Sequence, residues 1–201
     1  IQNFIYTIPS KGALKSLRGR SFYLEILLEH LVDEILEKLS LSRSCLIYTG
    51  GGHFYMLLPN TTATNDFLNA FSDKINAWLL KEFGSRLYLA LAWTPATANE
   101  FCGEAGRIFH RVSAKLSEIK LCRYSEAQLA DMFNPQSKLN KVLDGTRECS
   151  ICRTSTKELE PYGDWDDDNP LWAYGTCRRL YTLGGDVLDK NVVFYVSDTF
   201  S

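Results

Sequence analysis

One run of residues has the type and spacing to bring a ligand against the backbone. Three consecutive glycines, Gly50, Gly51 and Gly52, are followed by His53 and flanked by apolar segments. Because glycine adopts positive φ at no steric cost, such a run forms a bare, tight turn. A ligand could approach that backbone closely, although an ordinary hairpin turn without a ligand is the alternative.

A second group has the residue types of a metal site. Cys149 and Cys152 form a Cys-x-x-C pair, and Cys177 follows after an acidic loop. Structural zinc is usually held by two such pairs, but Tyr174 stands where a cysteine would complete the second pair. Three cysteines with a carboxylate or a water could still hold zinc, more weakly, and a metal-free ribbon is the alternative. A redox role is disfavoured because no thioredoxin-like βαβ pattern surrounds the pair.

The remaining cysteines, Cys45, Cys102 and Cys122, lie in apolar strand or helix patterns. In such surroundings a thiol acts as a small hydrophobic residue.

The glycine run is predicted to be the tip of a β-hairpin. Residues 45–48 and 54–58 are short apolar segments of strand-favouring types, and Pro59 ends the second. Because both segments are nearly all apolar, we expect them at the centre of a sheet that helices cover.

Strand and helix patterns alternate through the first 120 residues. Residues 3–8 and 87–93 are predicted strands, whereas residues 16–39, 64–84 and 100–116 carry apolar residues at helical spacing. The order is strand, helix, strand, strand, helix, strand, helix. That order predicts an α+β, ferredoxin-like fold, with an antiparallel sheet backed by helices on one face. Polymerase palms, nucleotide cyclases and RNA-binding domains share this topology, so it decides no function by itself.

We therefore predict three parts: a ferredoxin-like domain at residues 1–120, a helical connector at 121–144, and a small zinc-ribbon-like domain at 145–201. The last part contains the acidic run at 164–168 and a predicted closing strand at 192–196.

Composition excludes few function classes. The chain has 201 residues, of which 45% are hydrophobic and 23% charged, as in an ordinary soluble protein. The formal net charge of −2 does not point to nucleic acid, although a local basic face stays open. No apolar run spans a bilayer and no signal peptide is visible, so we expect a reduced, cytoplasmic setting without membrane contact. Since the chain starts inside a predicted strand, we interpret it as a fragment.

Two long segments, KGALKSLRGRSF and IYTGGGHFYMLLPNT, resemble paired motifs of one family. The family is the large subunit of type III-A (Csm-type) CRISPR effector complexes, and the motifs belong to its first palm domain. The Cys-x-x-C region also resembles the family's zinc-bearing linker domain. The resemblance covers most of the chain and implies a role in antiviral defence.

The resemblance implies a parent protein with two activities. An HD nuclease cuts single-stranded DNA, and a second palm with a metal-binding GGDD hairpin makes cyclic oligoadenylates from ATP. Neither motif occurs in this sequence. Gly184-Gly185-Asp186-Val187 lacks the second carboxylate and is interpreted as a loop.

The first palm is expected to be inactive by itself. Catalytic Mg²⁺ or Mn²⁺ requires oxygen ligands, which a palm supplies from its first strand and its hairpin tip. Residues 3–8 contain no Asp or Glu, and Gly52 and His53 occupy the tip positions that would be acidic. We therefore expect neither a catalytic metal pair nor a catalytic residue in this chain.

The resemblance also implies ATP binding, because two ATP molecules lie between the two palms of the family. The glycine tip would admit the nucleotide, and a basic cluster at the start of the long helix would favour phosphate. A solvated helix end is the alternative for that cluster, and a hairpin residue without a role is the alternative for His53. The implied nucleotide contacts are Gly50, Gly51, Gly52, His53, Ser21, Lys15 and Arg18, with Lys11 and Arg20 in the same basic cluster.

Two function classes stay open. In the first, the chain is a non-catalytic palm that contributes half of an ATP site, shared with the second palm, and scaffolds other CRISPR effector subunits. In the second, it is purely structural and contacts guide or target RNA or a neighbouring subunit without nucleotide affinity. A free-standing cyclase is disfavoured because the carboxylates are missing.

Overall fold

The structure, a computed structural model, describes residues 2–6, 12–137, 139–140, 142–143, 147–155, 157–162 and 171–193. Within these residues the chain forms six α-helices and four β-strands, which confirms the α+β class. The helices are α1 Gln2–Tyr6, α2 Ala13–Lys38, α3 Thr62–Phe83, α4 Ala98–Leu121, α5 Glu126–Phe133 and α6 Gly175–Asp186. The strands are β1 Leu46–Gly50, β2 His53–Met56, β3 Leu159–Tyr162 and β4 Leu171–Tyr174. None of the described helices is both long and apolar enough to cross a membrane.

The four described strands form two separate two-stranded sheets, β1 with β2 and β3 with β4. The second sheet is antiparallel, with Leu159 opposite Tyr174 and Tyr162 opposite Leu171. The predicted hairpin is therefore present. Among the described strands, however, β1 and β2 pair only with each other rather than at the centre of a larger sheet.

The predicted strand at residues 3–8 is wrong for its described part, because residues 3–6 lie in helix α1. The Arg20 guanidinium donates a hydrogen bond to the Phe4 carbonyl oxygen and lies 5.1 Å from the centre of the Phe4 ring. Phe4 is buried. A six-residue apolar segment is too short for periodicity to separate a strand from a helix, so this tertiary contact decides the conformation.

The predicted strand at residues 87–93 is also not formed. The Asn76 side chain binds the backbone of Leu89 as a neighbouring strand would. Its Oδ1 accepts the Leu89 N–H at 2.8 Å, and its Nδ2 donates to the Leu89 carbonyl at 3.0 Å. Lys115 Nζ donates to the Trp93 carbonyl at 2.9 Å. Side chains of α3 and α4 therefore take up part of the hydrogen bonding that a strand would share with a sheet.

The predicted long helices are confirmed, with shifted ends. Helix α3 begins after Thr61, whose hydroxyl accepts the Thr64 N–H, and not at residue 64 as predicted. Helix α4 begins at a capping box in which Thr97 and Glu100 bind each other's backbone N–H. The buried stripe of α2 consists of Leu24, Leu28, Leu31, Val32, Ile35 and Leu36.

The chain divides into two compact units that interleave along the sequence. The first comprises Ile1–Glu34, Tyr48–Phe54 and Val142–Ser201, and the second comprises Ile35–Ile47 and Tyr55–Lys141. The three-part division at residues 120 and 144 stays a prediction.

Within the first unit, α2 and α6 cross at two glycines. A Cβ on Gly19 would lie 1.9 Å from the Leu180 carbonyl oxygen, and a Cβ on Gly184 would lie 1.8 Å from the Lys15 carbonyl oxygen. Only glycine permits this approach.

The prediction of a loop at residues 184–187 is wrong, since residues 184–186 form the last turn of α6.

Candidate functional site

The glycine tip has the backbone conformation that the sequence predicts. Gly50, Gly51 and Gly52 have φ values of +147°, +59° and +82°, a region that residues with a Cβ rarely adopt. A Cβ on Gly51 would meet no atom within 4 Å. The backbone at Gly51 is therefore open to an approaching molecule.

Two polar side chains lie at the tip. The Gly51 N–H donates to Glu25 Oε1 at 3.1 Å, and the His53 Nδ1 lies 3.1 Å from the Gly51 carbonyl oxygen. Both contacts are exposed. Glu25 was not singled out from the sequence, although it lies one helical turn after Ser21 and therefore on the same face of α2.

The basic residues of α2 contact α6. Arg18 Nη1 donates to the Gly184 carbonyl at 2.7 Å, and Lys15 Nζ lies 5.4 Å from the centre of the Tyr181 ring. Ser21 is half-buried. Arg20 is buried beside Phe4, and Lys11 lies outside the described residues. The roles of Lys15, Arg18 and Ser21 as nucleotide ligands stay predictions.

The three cysteines of the second group come together. Each of the Cys149, Cys152 and Cys177 sulfurs lies within 4.8 Å of the other two, and all three residues are buried. A turn at Cys149 presents the first two sulfurs, and its Ser150 N–H donates to the Trp172 carbonyl of β4 at 2.8 Å. Cys177 lies in the first turn of α6. The spacing seen in the sequence therefore corresponds to one buried cluster.

Hydrogen bonds orient the Cys149 sulfur toward the centre of this cluster. It accepts the backbone N–H groups of Cys152 and Tyr174, both at 3.4 Å. Hydrogen bonding to the neighbouring Cys149 and Cys152 thiols, together with burial, raises the pKa of the Cys177 thiol. A bound cation would act in the opposite direction, because metals bind the thiolate form.

These residues fit a structural metal with one ligand still to be supplied. Tetrahedral zinc with Zn–S distances of about 2.3 Å separates its sulfurs by roughly 3.8 Å, which the cluster can reach with small shifts. No fourth Cys, His, Asp or Glu among the described residues joins the three sulfurs. The acidic run at 164–168 is outside those residues. Tyr174 contributes its backbone, while its ring lies 4.2 Å from Lys157 Nζ.

The other cysteines are separate from this cluster. Cys102 and Cys122 are exposed on α4 and at its end, and Cys45 is half-buried before β1. The prediction that these thiols act as small hydrophobic residues in apolar surroundings therefore does not hold for the exposed Cys102 and Cys122.

A protein-family comparison matches most of the chain. The family model described as "Csm1 subunit domain B" matches residues 1–137. A Cas10/Csm1 single-strand-specific deoxyribonuclease of subtype III-A from Mycobacterium tuberculosis is 41% identical over 205 residues, covering 95% of this chain and 24% of the relative. The corresponding protein of Streptococcus thermophilus is 35% identical, covering 96% and 24%. The chain thus spans about a quarter of the length of these curated relatives.

Solved structures of Csm1–Csm4 cassettes are also similar to this chain. A crystal structure of a Csm1–Csm4 cassette in complex with one ATP has a TM-score of 0.59 at 27% identity, covering 86% of this chain and 24% of that one. The apo form of such a cassette has a TM-score of 0.58 at 27% identity, covering 87% and 24%.

Proposed function

The chain belongs to the Csm1 family, and from that membership we propose that it is a non-catalytic palm segment of the large subunit of a type III-A CRISPR effector. In this proposal it contributes one side of an ATP site and part of the scaffold. The observation that carries the proposal is the open hairpin tip, where three glycines with positive φ expose the backbone around Gly51. The predicted ferredoxin-like sheet is not confirmed, because the strands expected at residues 3–8 and 87–93 are not formed in the part of the chain that the structure describes.

The polar groups at the tip favour one orientation of the nucleotide. The Glu25 carboxylate accepts the Gly51 N–H, and it would repel a phosphate brought to the same position. A carboxylate readily accepts hydrogen bonds from hydroxyl and amino groups. We therefore place the ribose hydroxyls or the adenine amino group at the tip, with the phosphates directed away from Glu25.

Metal-assisted phosphoryl transfer requires ligands that the hairpin tip does not supply in the part of the chain that the structure describes. Mg²⁺ and Mn²⁺ bind several oxygen ligands. Among the described residues, Glu25 is the carboxylate that contacts the tip backbone, and the imidazole of His53 is a poor ligand for these cations. Catalysis is therefore assigned to a second palm of the same subunit, outside this chain.

The cysteine cluster is proposed to hold structural zinc. Thiolates are preferred ligands of zinc, and a buried three-cysteine cluster provides most of a structural site. In this role the metal stabilises the β3–β4 sheet and the start of α6, since two of its ligands precede β3 in the chain and the third follows β4.

For the whole protein we propose the activities of the relatives. Their names describe single-strand-specific deoxyribonucleases, and ATP-dependent synthesis of cyclic oligoadenylates follows from the family resemblance. The proposed partners are the second palm and other effector subunits, including a Csm4-type subunit such as the one in the solved cassettes.

Calorimetric titration of ATP into this chain, with and without Mn²⁺, tests the nucleotide site. We expect weak, saturable binding of one ATP that does not require Mn²⁺ and is weakened by Gly51→Asn. Asparagine tolerates positive φ, so this variant adds a side chain at the tip with little strain. An absence of binding, or binding that survives the substitution unchanged, would contradict the proposal.

The second candidate is a structural module that contacts RNA or a neighbouring subunit. Leu121 and Phe133 are 86% and 80% exposed at the ends of α4 and α5, which favours a covering partner in the longer protein. An RNA gel shift with no ATP binding would favour this alternative.

A further inference from the structure

A buried hydroxyl without a partner lies in the same packed cluster as the three cysteines. Tyr162 in β3 is only 6% exposed and packs in one apolar cluster with Cys149, Cys152 and Cys177. Its Oη makes no hydrogen bond to any described residue. A buried polar group usually has a partner, and an orphan in a well-packed region points to a water or ion that completes it.

The Tyr162 ring is held in place. It packs edge-on against the Tyr181 ring with centroids 5.2 Å apart, and its backbone is in register with Leu171 of β4. The hydroxyl therefore cannot easily turn away to solvent. A phenol hydroxyl can both donate and accept a hydrogen bond.

The lack of a hydrogen bond to the sulfurs argues against Tyr162 as a direct ligand. An oxygen and a sulfur bound to the same tetrahedral zinc lie roughly 3.5 Å apart, yet the Tyr162 hydroxyl makes no hydrogen bond to any of the three sulfurs. A single water between the metal and the hydroxyl would supply the missing fourth ligand and would also give the Tyr162 hydroxyl a hydrogen-bond partner.

We propose that the metal of the three-cysteine cluster takes a water as its fourth ligand and that the Tyr162 hydroxyl holds that water in position. This inference rests on the proposed zinc site. Tyr162 is a positioning residue, acting through the water rather than on the metal. The Tyr174 ring lies against the Lys157 ammonium, 4.2 Å from the ring centre.

Zinc affinity in a double-mutant cycle tests the proposal. The chain is stripped of metal and reconstituted with zinc, and affinity is measured by chelator competition. Loss of a group that supports a metal ligand typically costs about 10–100-fold in affinity, so we expect that loss for Tyr162→Phe. The Tyr174→Cys variant places a fourth thiol next to Cys149, which displaces the water. In that background Tyr162→Phe should leave the affinity unchanged.

Tyr181→Phe is the matched control, since it removes a hydroxyl from the adjoining ring and should change zinc affinity less than threefold. Cobalt substitution of the unmodified chain provides a second readout that needs no variant. Its visible spectrum should correspond to three sulfurs and one oxygen, and Tyr174→Cys should add thiolate charge-transfer intensity.

Three results would overturn the inference while leaving the zinc site intact. They are an unchanged affinity for Tyr162→Phe, an equal loss in both backgrounds, which would indicate packing alone, and a cobalt spectrum of four sulfurs in the unmodified chain. Failure of the unmodified chain to bind zinc would overturn the zinc site itself and this inference with it.

Discussion

At the scale of single residues, Gly51 combines a left-handed backbone with open space around its Cα. Its φ is +59°, and a Cβ would meet nothing within 4 Å. A substitution there therefore tests conformation without a clash. We expect Gly51→Ala to lower the free energy of unfolding by about 1–2 kcal/mol through strain, and Gly51→Asn to lower it less. Denaturant unfolding measures both. Equal stability of the alanine variant and the parent would show that the turn is not held in this conformation.

Site residues whose chemistry is visible in their types and spacing could be predicted from the sequence. The glycine turn and the three-cysteine cluster were found because their chemistry is visible in the residues themselves. Glu25 and Tyr162 were missed for the opposite reason. Glu25 acts on a residue 26 positions away, and a tyrosine in an apolar strand pattern shows no sign of an orphaned hydroxyl. Tertiary packing alone creates both roles.

At the scale of elements, the crossing of α2 and α6 depends on the absence of side chains. A Cβ on Gly19 would lie 1.9 Å from the Leu180 carbonyl oxygen, and backbone cannot yield as a flexible side chain would. We expect Gly19→Ala to lower the free energy of unfolding by about 3 kcal/mol or more.

Gly106→Ala is the matched control for that substitution. Gly106 lies in α4, where a Cβ would meet nothing within 4 Å. Alanine should therefore raise stability by up to about 1 kcal/mol, through helix propensity. A similar small effect for both alanine variants in thermal or denaturant unfolding would contradict the close crossing.

The two hydrogen bonds between the Asn76 side chain and the Leu89 backbone predict a second stability effect. Asn76→Ala leaves the Leu89 N–H and carbonyl without their partners, and we expect a loss of about 1–3 kcal/mol. Asn69→Ala on the same helix is the control, because Asn69 is exposed and should change the free energy of unfolding by less than about 0.5 kcal/mol. Indistinguishable unfolding curves for the two variants would show that these hydrogen bonds do not contribute to stability.

The α4 capping box predicts a pH dependence. The Thr97 backbone N–H, and then Arg111, lower the pKa of the Glu100 carboxyl below its ordinary value of 4.5. A carboxyl with a lowered pKa in the folded state stabilises above its unfolded-state pKa, and this contribution is lost as the pH falls through the folded-state value. Glu100→Gln should therefore be less stable than the parent at pH 7, and the difference should disappear well below pH 4.5. A difference that persists at pH 2.5 would contradict this assignment.

Element prediction succeeded where the pattern was long. The helices α2, α3 and α4 each repeat apolar residues over several turns, so their existence could be predicted even though their ends shifted. The strands predicted at residues 3–8 and 87–93 are short. The conformation of these two segments depends on contacts with the side chains of Arg20 and Asn76. Both residues lie outside the segments, so a local sequence pattern does not include them.

At the scale of the whole molecule, the two compact units are assembled from separated segments. The hairpin tip belongs with residues 142–201 rather than with the helices that follow it. A linear reading of the sequence places boundaries between consecutive segments, so it could not predict this interleaving. Family membership, by contrast, could be predicted, because it depends on two long motifs in a fixed order.

The central claim is that ATP binds at the glycine tip of a palm that has no turnover of its own. Amide hydrogen exchange of residues 46–56, with and without saturating ATP, tests it most directly. We predict slower exchange at Gly50, Gly51 and Gly52 in the presence of ATP, with no change around the cysteine cluster. We also predict that the ATP remains intact and no cyclic or linear oligoadenylate forms. Exchange at the tip that is unaffected by saturating ATP, or an adenylate product made by this chain alone, would contradict the claim.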